Sequence, residues 1–254
     1  MKKYFYTLIL AIIVSIPNIA IAKYVGLSYN AFETEFFSVD AEYYDTREIE
    51  CVQNSIVILN ALIKKYGSEL PKKRINVVVK YYNDIRLGGR AAVGMAEMDT
   101  PVKGTTSLRL LKLSQMTTTE TFLGITPRFK SIDFKIAYMQ STIVHELTHA
   151  YLFAHGVQDL AIQEYLAYSL DFLSIPTRYR IILNIDLKNE YGIIGGRYQN
   201  SDFIVAKAYL SGPHEYGVLS YNHFVKTNGE LFSKMISGEF QQIRVERASQ
   251  QGDE

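Results

Sequence analysis

Apolar residues recur along this chain with two different periods, and together they set out most of its elements. From Thr46 to Tyr66 the positions Ile49, Val52, Ile56, Leu59, Ile63 and Tyr66 are spaced three and four apart, which predicts a helix ended by Gly67. Arg74–Tyr82 is rich in β-branched and aromatic residues and predicts a strand closed by Asn83-Asp84. Residues 23–41 are mixed and aromatic, enough for one or two short strands. Leu87–Thr106 carries Gly88, Gly89, Gly94 and Gly104 and reads as a loop or irregular hairpin, while Ser107–Leu113 reads as a strand. A polar connector over 117–131 leads to a helix over about 134–155, with Ser131 or Asp133 as N-cap and Gly156 as stop.

A short turn then opens a second helix over about 160–174, with Asp159 near its start and Pro176 after its end. Arg178–Leu187 suits a strand or a helix. Gly192, Gly195 and Gly196 mark a loop. Helices are predicted over Asp202–Leu210, Glu215–Lys226 and Glu230–Ile236, before a polar tail from Arg244. An α+β fold is expected. Residues 23–254 are expected to form a single domain, with a sheet-containing part to about 156 and a helical part after it.

The helix over 134–155 also carries the chemistry. His145-Glu146-Leu147-Thr148-His149 has the form H-E-x-x-H. Residues four apart on a helix lie on one face, so both imidazoles can bind one metal ion. Zn²⁺, one per chain, is the expected ion, with Glu146 placed to take a proton from a water beside it. Ile136, Met139, Ile143, Leu147 and Ala150 form an apolar stripe on the same helix, so the motif sits on a core element.

Two ligands leave such a site incomplete. Glu164 is one candidate for the third. It lies fifteen residues beyond His149, among Leu160, Ile162, Leu166, Ala167 and Leu170, and a short turn would let its helix fold back onto the first. His155 is the other, ten residues beyond His145. It has the histidine spacing of the metzincin pattern, but Leu152 stands where that pattern has its turning Gly. If the helix continues, His155 points away and interacts with the last carbonyls instead. Asp171 is a candidate carboxylate to orient one of the ligand imidazoles.

Composition and charge narrow the setting. The chain has 254 residues and a formal net charge of +1, so nothing points to nucleic acid. Lys2 and Lys3, the apolar run Tyr6–Ile16, Pro17 and Ala20-Ile21-Ala22 have the form of a secretory signal peptide over residues 1–22. Cleavage after Ala22 would move the charge to −1 and release a periplasmic or secreted protein; an uncleaved segment would be its one tie to a membrane. Cys51 is the only cysteine, so no intrachain disulfide forms, and its helical position reads as a small buried hydrophobe. Oligomeric state is left open.

His145–Leu152 followed by Ile162-Gln163-Glu164-Tyr165-Leu166-Ala167 resembles the gluzincin group of zinc metallopeptidases, of which thermolysin is the familiar member. The resemblance covers about 135–172, with Tyr165 where small members often have Gly. It implies a zincin-like fold with a small twisted sheet, and hydrolysis of a peptide or protein substrate with Glu146 as general base. It also implies an edge strand along the cleft, for which Ser107–Leu113 is placed. It further implies a C-terminal Tyr or His that stabilises the oxyanion: Tyr216 foremost, with Tyr221, His214 and His223 as alternatives. The competing functions are a non-catalytic binding protein on a zincin scaffold and a zinc hydrolase of a cell-wall amide.

Overall fold

The computed structural model describes residues 23–24, 27–68, 70–87, 90–98, 104–116, 131–183, 185 and 213–239. The segment read as a signal peptide, the helix expected over 202–210 and the glycines at 192–196 lie outside them.

Strand alternation builds the sheet. Phe37, Val39, Ala41 and Tyr43 of β3 (Phe37–Tyr43) point inward, as do Ile75, Val77, Val79 and Tyr81 of β4 (Ile75–Tyr82). β1 (Lys23–Tyr24), β2 (Leu27–Glu33), β7 (Gly94–Met98) and β8 (Thr105–Leu111) complete a six-stranded sheet in the order β1-β2-β3-β4-β8-β7. It is mixed: β3, β4 and β8 run parallel, while β1, β2 and β7 pair antiparallel with their neighbours. β5 (Arg86–Leu87) and β6 (Arg90–Ala91) form a separate small ribbon. The fold is α+β, with several helices joined to this small sheet.

The helices bury their stripes against one another and the sheet. α1 (Thr46–Tyr66) crosses from β3 to β4 and buries Ile49, Val52, Ile56, Leu59 and Ile63, the periodic positions of the sequence. α2 (Ile132–Ala154) is buried on nearly every side and is capped by the Ser131 hydroxyl, which accepts from the Phe134 N–H. The Ser55 hydroxyl of α1 reaches the Gln140 carbonyl of α2 at 3.0 Å. α3 (Leu160–Ser174), α4 (Thr177–Ile182), α5 (Pro213–Lys226) and α6 (Leu231–Ser237) follow. The buried apolar residues form one cluster from the sheet to α6, so both parts of the chain share a core. No helix among the described residues is long and apolar enough to cross a membrane.

Two strand expectations change. Ser107–Leu113 is not the edge. β8 ends at Leu111 and lies inside the sheet, between β4 and β7; Leu113 opens a 3-10 turn. The edge among the described residues is β7, within the glycine-bearing stretch read as a loop or hairpin. Its composition, Gly-Met-Ala-Glu-Met, has weak strand propensity, and β8 supplies the ladder that makes it a strand. Gly94 matters for packing: a Cβ there would stand 2.8 Å from Thr142 Cγ2 and 3.4 Å from Glu146 Cγ, so its absence brings β7 onto α2. The 178–187 segment, open between strand and helix, is helical over Thr177–Ile182.

Glu48 ties α1 to the end of β8. Its Oε2 accepts from the Tyr44 and Asp45 N–H groups, closing a capping box with Asp45. Its Oε1 accepts from the Leu113 N–H at 3.1 Å, and the residue is 2% exposed. Glu48→Ala should therefore destabilise the fold by roughly 2–4 kcal/mol through unpaired buried amides. Urea denaturation would measure this; a midpoint unchanged at equal slope would contradict it.

Candidate metal centre

α2 ends in a Schellman turn. Gly156 adopts φ +82, the Gly156 N–H donates to the Phe153 carbonyl, and the Val157 N–H donates to that of Leu152. The Asp159 side chain then accepts from the Ile162 N–H and starts α3. The reversal runs α3 back along α2. His149 meets Gln163 near the turn, and His145 meets Glu164, Tyr168 and Asp171 further along.

The result is a buried group of possible ligands. The His145 and His149 Nε2 atoms are 3.1 Å apart. Glu164 Oε2 lies 3.5 Å from His145 Nε2, and Glu164 Oε1 lies 3.7 Å from His149 Nε2. One ligand atom from each residue falls within 4.8 Å of the others, so this group could hold a metal ion. Both imidazoles are 9% exposed, in the seam between the two helices.

Two further side chains stand against the imidazoles, and one of them, Gln163, holds its ring by a hydrogen bond. Gln163 Nε2 donates to the Val157 carbonyl at 2.8 Å, which fixes the amide and turns Oε1 to His149 Nδ1 at 3.1 Å. Nδ1 of His149 must then carry the hydrogen, and Nε2 of the neutral ring presents its lone pair to the centre. Asp171, the candidate orienting carboxylate, has its Oδ2 3.6 Å from His145 Nδ1, an ionic approach longer than a hydrogen bond. Gln163 was not singled out in the sequence. The only signal for it there is a polar residue next to Glu164 in an otherwise apolar run.

Charge is balanced around a proton. Burial works against a charged His145 ring, but the Asp171 and Glu164 carboxylates outweigh it and hold its pKa up at about 10. Burial and the charge of His145 depress His149. Burial pushes Glu164 upward, yet the contact with His145 prevails and keeps its carboxyl below the usual range. Without metal, the site thus holds an imidazolium, a neutral imidazole and a carboxylate.

Glu146 stands beside this group rather than in it. It is half-buried, and its Oε2 accepts from the Ala96 N–H of β7 at 2.8 Å. His155 caps α2 with its ring nitrogens at the Tyr151 and Pro71 carbonyls, 2.8 and 3.1 Å away, so it turns away from His145 and His149. Cys51 is buried, and burial first, then nearby carboxylates, pushes its thiol up to about 12.

The C-terminal candidates are spread out. Tyr216 is buried and packs edge-on against Tyr168, ring centres 6.1 Å apart. Tyr221 packs on Phe172 under the Arg180 guanidinium. His223 Nδ1 is 2.7 Å from the Tyr165 hydroxyl. The His214 side chain lies outside the described residues. Among the described residues, the Tyr168 ring packs against that of His145, 4.6 Å away between centres. Burial, then Glu164 and Asp171, push its phenol far above the usual range.

The family described as a family of unknown function (DUF6639) matches residues 104–244. The chain belongs to this family. Searches of the curated proteins and of the solved structures return no match. The DUF6639 segment runs from the start of β8 past α6 and so contains His145, Glu146, His149, Gln163, Glu164 and Asp171, while β7, which carries Ala96, precedes it.

Because His145 keeps its proton up to about pH 10, a metal ion entering at pH 7 must displace it. Calorimetric titration in two buffers of different ionisation enthalpy should show about one proton released per ion, with apparent affinity rising about tenfold per pH unit below pH 10. The sign for the metal-free fold is opposite. A pKa raised from 6.5 to about 10 contributes stability below pH 6.5 that is lost as pH rises through 10. Metal uptake without proton release would contradict this arrangement.

Proposed function

We propose that this chain is a zinc-dependent metallopeptidase of gluzincin type. The observation that carries the reading is the convergence of His145, His149 and Glu164 from two antiparallel helices, with Glu146 at its margin. Donors placed 2.0–2.1 Å from a tetrahedral centre are separated by about 3.3 Å. The separations of 3.1, 3.5 and 3.7 Å fit that spacing with small side-chain adjustments. Two imidazoles and one carboxylate are also a donor set that suits zinc with a position left open. The motif helix against a mixed sheet, followed by a helix bearing the carboxylate, is what a zincin-like fold would require.

Zinc held there would polarise a carbonyl oxygen and bring the pKa of a water toward neutrality. Glu146 takes the proton of the attacking water as the oxygen bonds to the carbonyl carbon. It then delivers the proton to the nitrogen as the C–N bond breaks, leaving a carboxylic acid and an amine. The Ala96 N–H steadies one oxygen of Glu146 throughout. Gln163 and Asp171 keep the two imidazoles aimed at the centre. The substrate is a peptide or protein segment, met outside the cytoplasm after removal of residues 1–22.

The test pairs metal analysis with a peptide-library digest read by mass spectrometry. The parent protein should carry about one zinc per chain and cleave library members. Glu146→Gln should keep the zinc and lose cleavage by about 10²–10⁴-fold. Glu164→Ala should lose most of the metal, and His155→Ala should keep it. Cleavage within threefold of the parent in Glu146→Gln would overturn the mechanism. A parent that binds zinc yet cleaves no peptide would overturn the substrate class.

A further inference from the structure

The metal-facing side of α3 carries one more polar group than the mechanism above uses. Glu164, Tyr168 and Asp171 are spaced four and three apart and share one helical face. Glu164 supplies a ligand atom and Asp171 faces His145 Nδ1. Between them, the Tyr168 ring meets that of His145 edge-on, at 69° and 4.6 Å.

That ring is held on every side. Phe172 packs against it at 5.8 Å and Tyr216 at 6.1 Å. From α5, Gly217 approaches so closely that a Cβ there would stand 2.8 Å from Tyr168 Cδ1. Tyr168 is 4% exposed, and its hydroxyl makes no hydrogen bond among the described residues yet is not one of the unpaired polar atoms sealed from solvent, so the small exposed part of the residue includes its oxygen. A phenol with a buried ring and an oxygen open to solvent can donate to a group that arrives from that side. Here the ring is fixed by packing alone, and its O–H is left for something that enters the site.

We propose that Tyr168 is a catalytic residue whose hydroxyl donates a hydrogen bond to the substrate oxygen that gains negative charge during attack. The inference rests on the metallopeptidase reading and moves the oxyanion role from the C-terminal candidates to α3. A donor fixed before the substrate arrives needs no reorganisation as charge develops, which is the property such a site requires. Tyr216 then acts as a positioning residue, holding the Tyr168 ring from behind.

The test uses the full mature chain loaded with Co²⁺, whose visible absorption reports both metal uptake and ligand binding. Two probes are compared. Acetohydroxamate presents oxygen acceptors beside the metal, and imidazole binds through nitrogen and presents none. Tyr168→Phe leaves no partner unpaired, so it should keep the circular dichroism and cobalt content of the parent. It should bind acetohydroxamate at least tenfold more weakly and imidazole within twofold. On a cleaved peptide, kcat should fall about 10²–10³-fold with KM little changed. Equal acetohydroxamate affinity in parent and Tyr168→Phe would overturn the assignment and leave the metal site standing. So would equal weakening of both probes, which would mark a disturbed site rather than a lost donor. Loss of acetohydroxamate affinity in Tyr216→Phe but not in Tyr168→Phe would return the role to Tyr216. A parent that takes up no cobalt would overturn both the metal reading and this one.

Discussion

The antiparallel seam between α2 and α3 is the constraint on which the site depends. Each helix by itself presents an incomplete set of donors. α2 offers two imidazoles on one face, and α3 offers a carboxylate among apolar neighbours. The Schellman turn at His155-Gly156-Val157 reverses the chain within five residues, and its geometry does more than connect. The Val157 carbonyl fixes the Gln163 amide, that amide sets the His149 tautomer, and the tautomer decides which nitrogen carries a free lone pair. A backbone conformation that glycine makes accessible is thereby linked, through two hydrogen bonds, to the tautomer of His149.

Burial makes this seam electrostatically demanding. A carboxylate and two imidazoles excluded from water need a positive charge among them. Without metal that charge is the proton on His145, kept there by Glu164 and Asp171 despite burial. A divalent ion can take its place because the same lone pairs converge on one point. The charge of the carboxylates is therefore compensated without a metal ion.

The sheet contributes from the other side of α2. β7 packs against this helix because Gly94 has no side chain, and the Ala96 N–H reaches Glu146. Glu146 is one residue from a ligand in sequence, but it is steadied by the sheet whereas His145 and His149 are steadied by α3. This division gives Glu146 a different support from the three residues that could hold a metal ion. Glu48 performs a related task at the far end of the core, joining α1 to the residues just after β8.

The sequence alone was enough for features set by local periodicity and local chemistry. The helix over Thr46–Tyr66 and that over Leu160–Ser174 follow from apolar spacing and caps, and the His145–His149 pair follows from the helical repeat. Glu164 was legible as an acid stranded among apolar residues beyond a short turn. Other features depended on contacts between distant segments. Ser107–Leu113 looked like an edge, but strand order is a matter of non-local pairing, and the edge fell to β7, whose composition hardly signals a strand. The tyrosine beside His145 could not be picked from nineteen, because the side chain that touches His145 depends on how far α3 rotates against α2. Only that packing places Tyr168 against His145 and Tyr216 behind it. Periodicity determined which faces are buried; tertiary packing decided which buried residues meet.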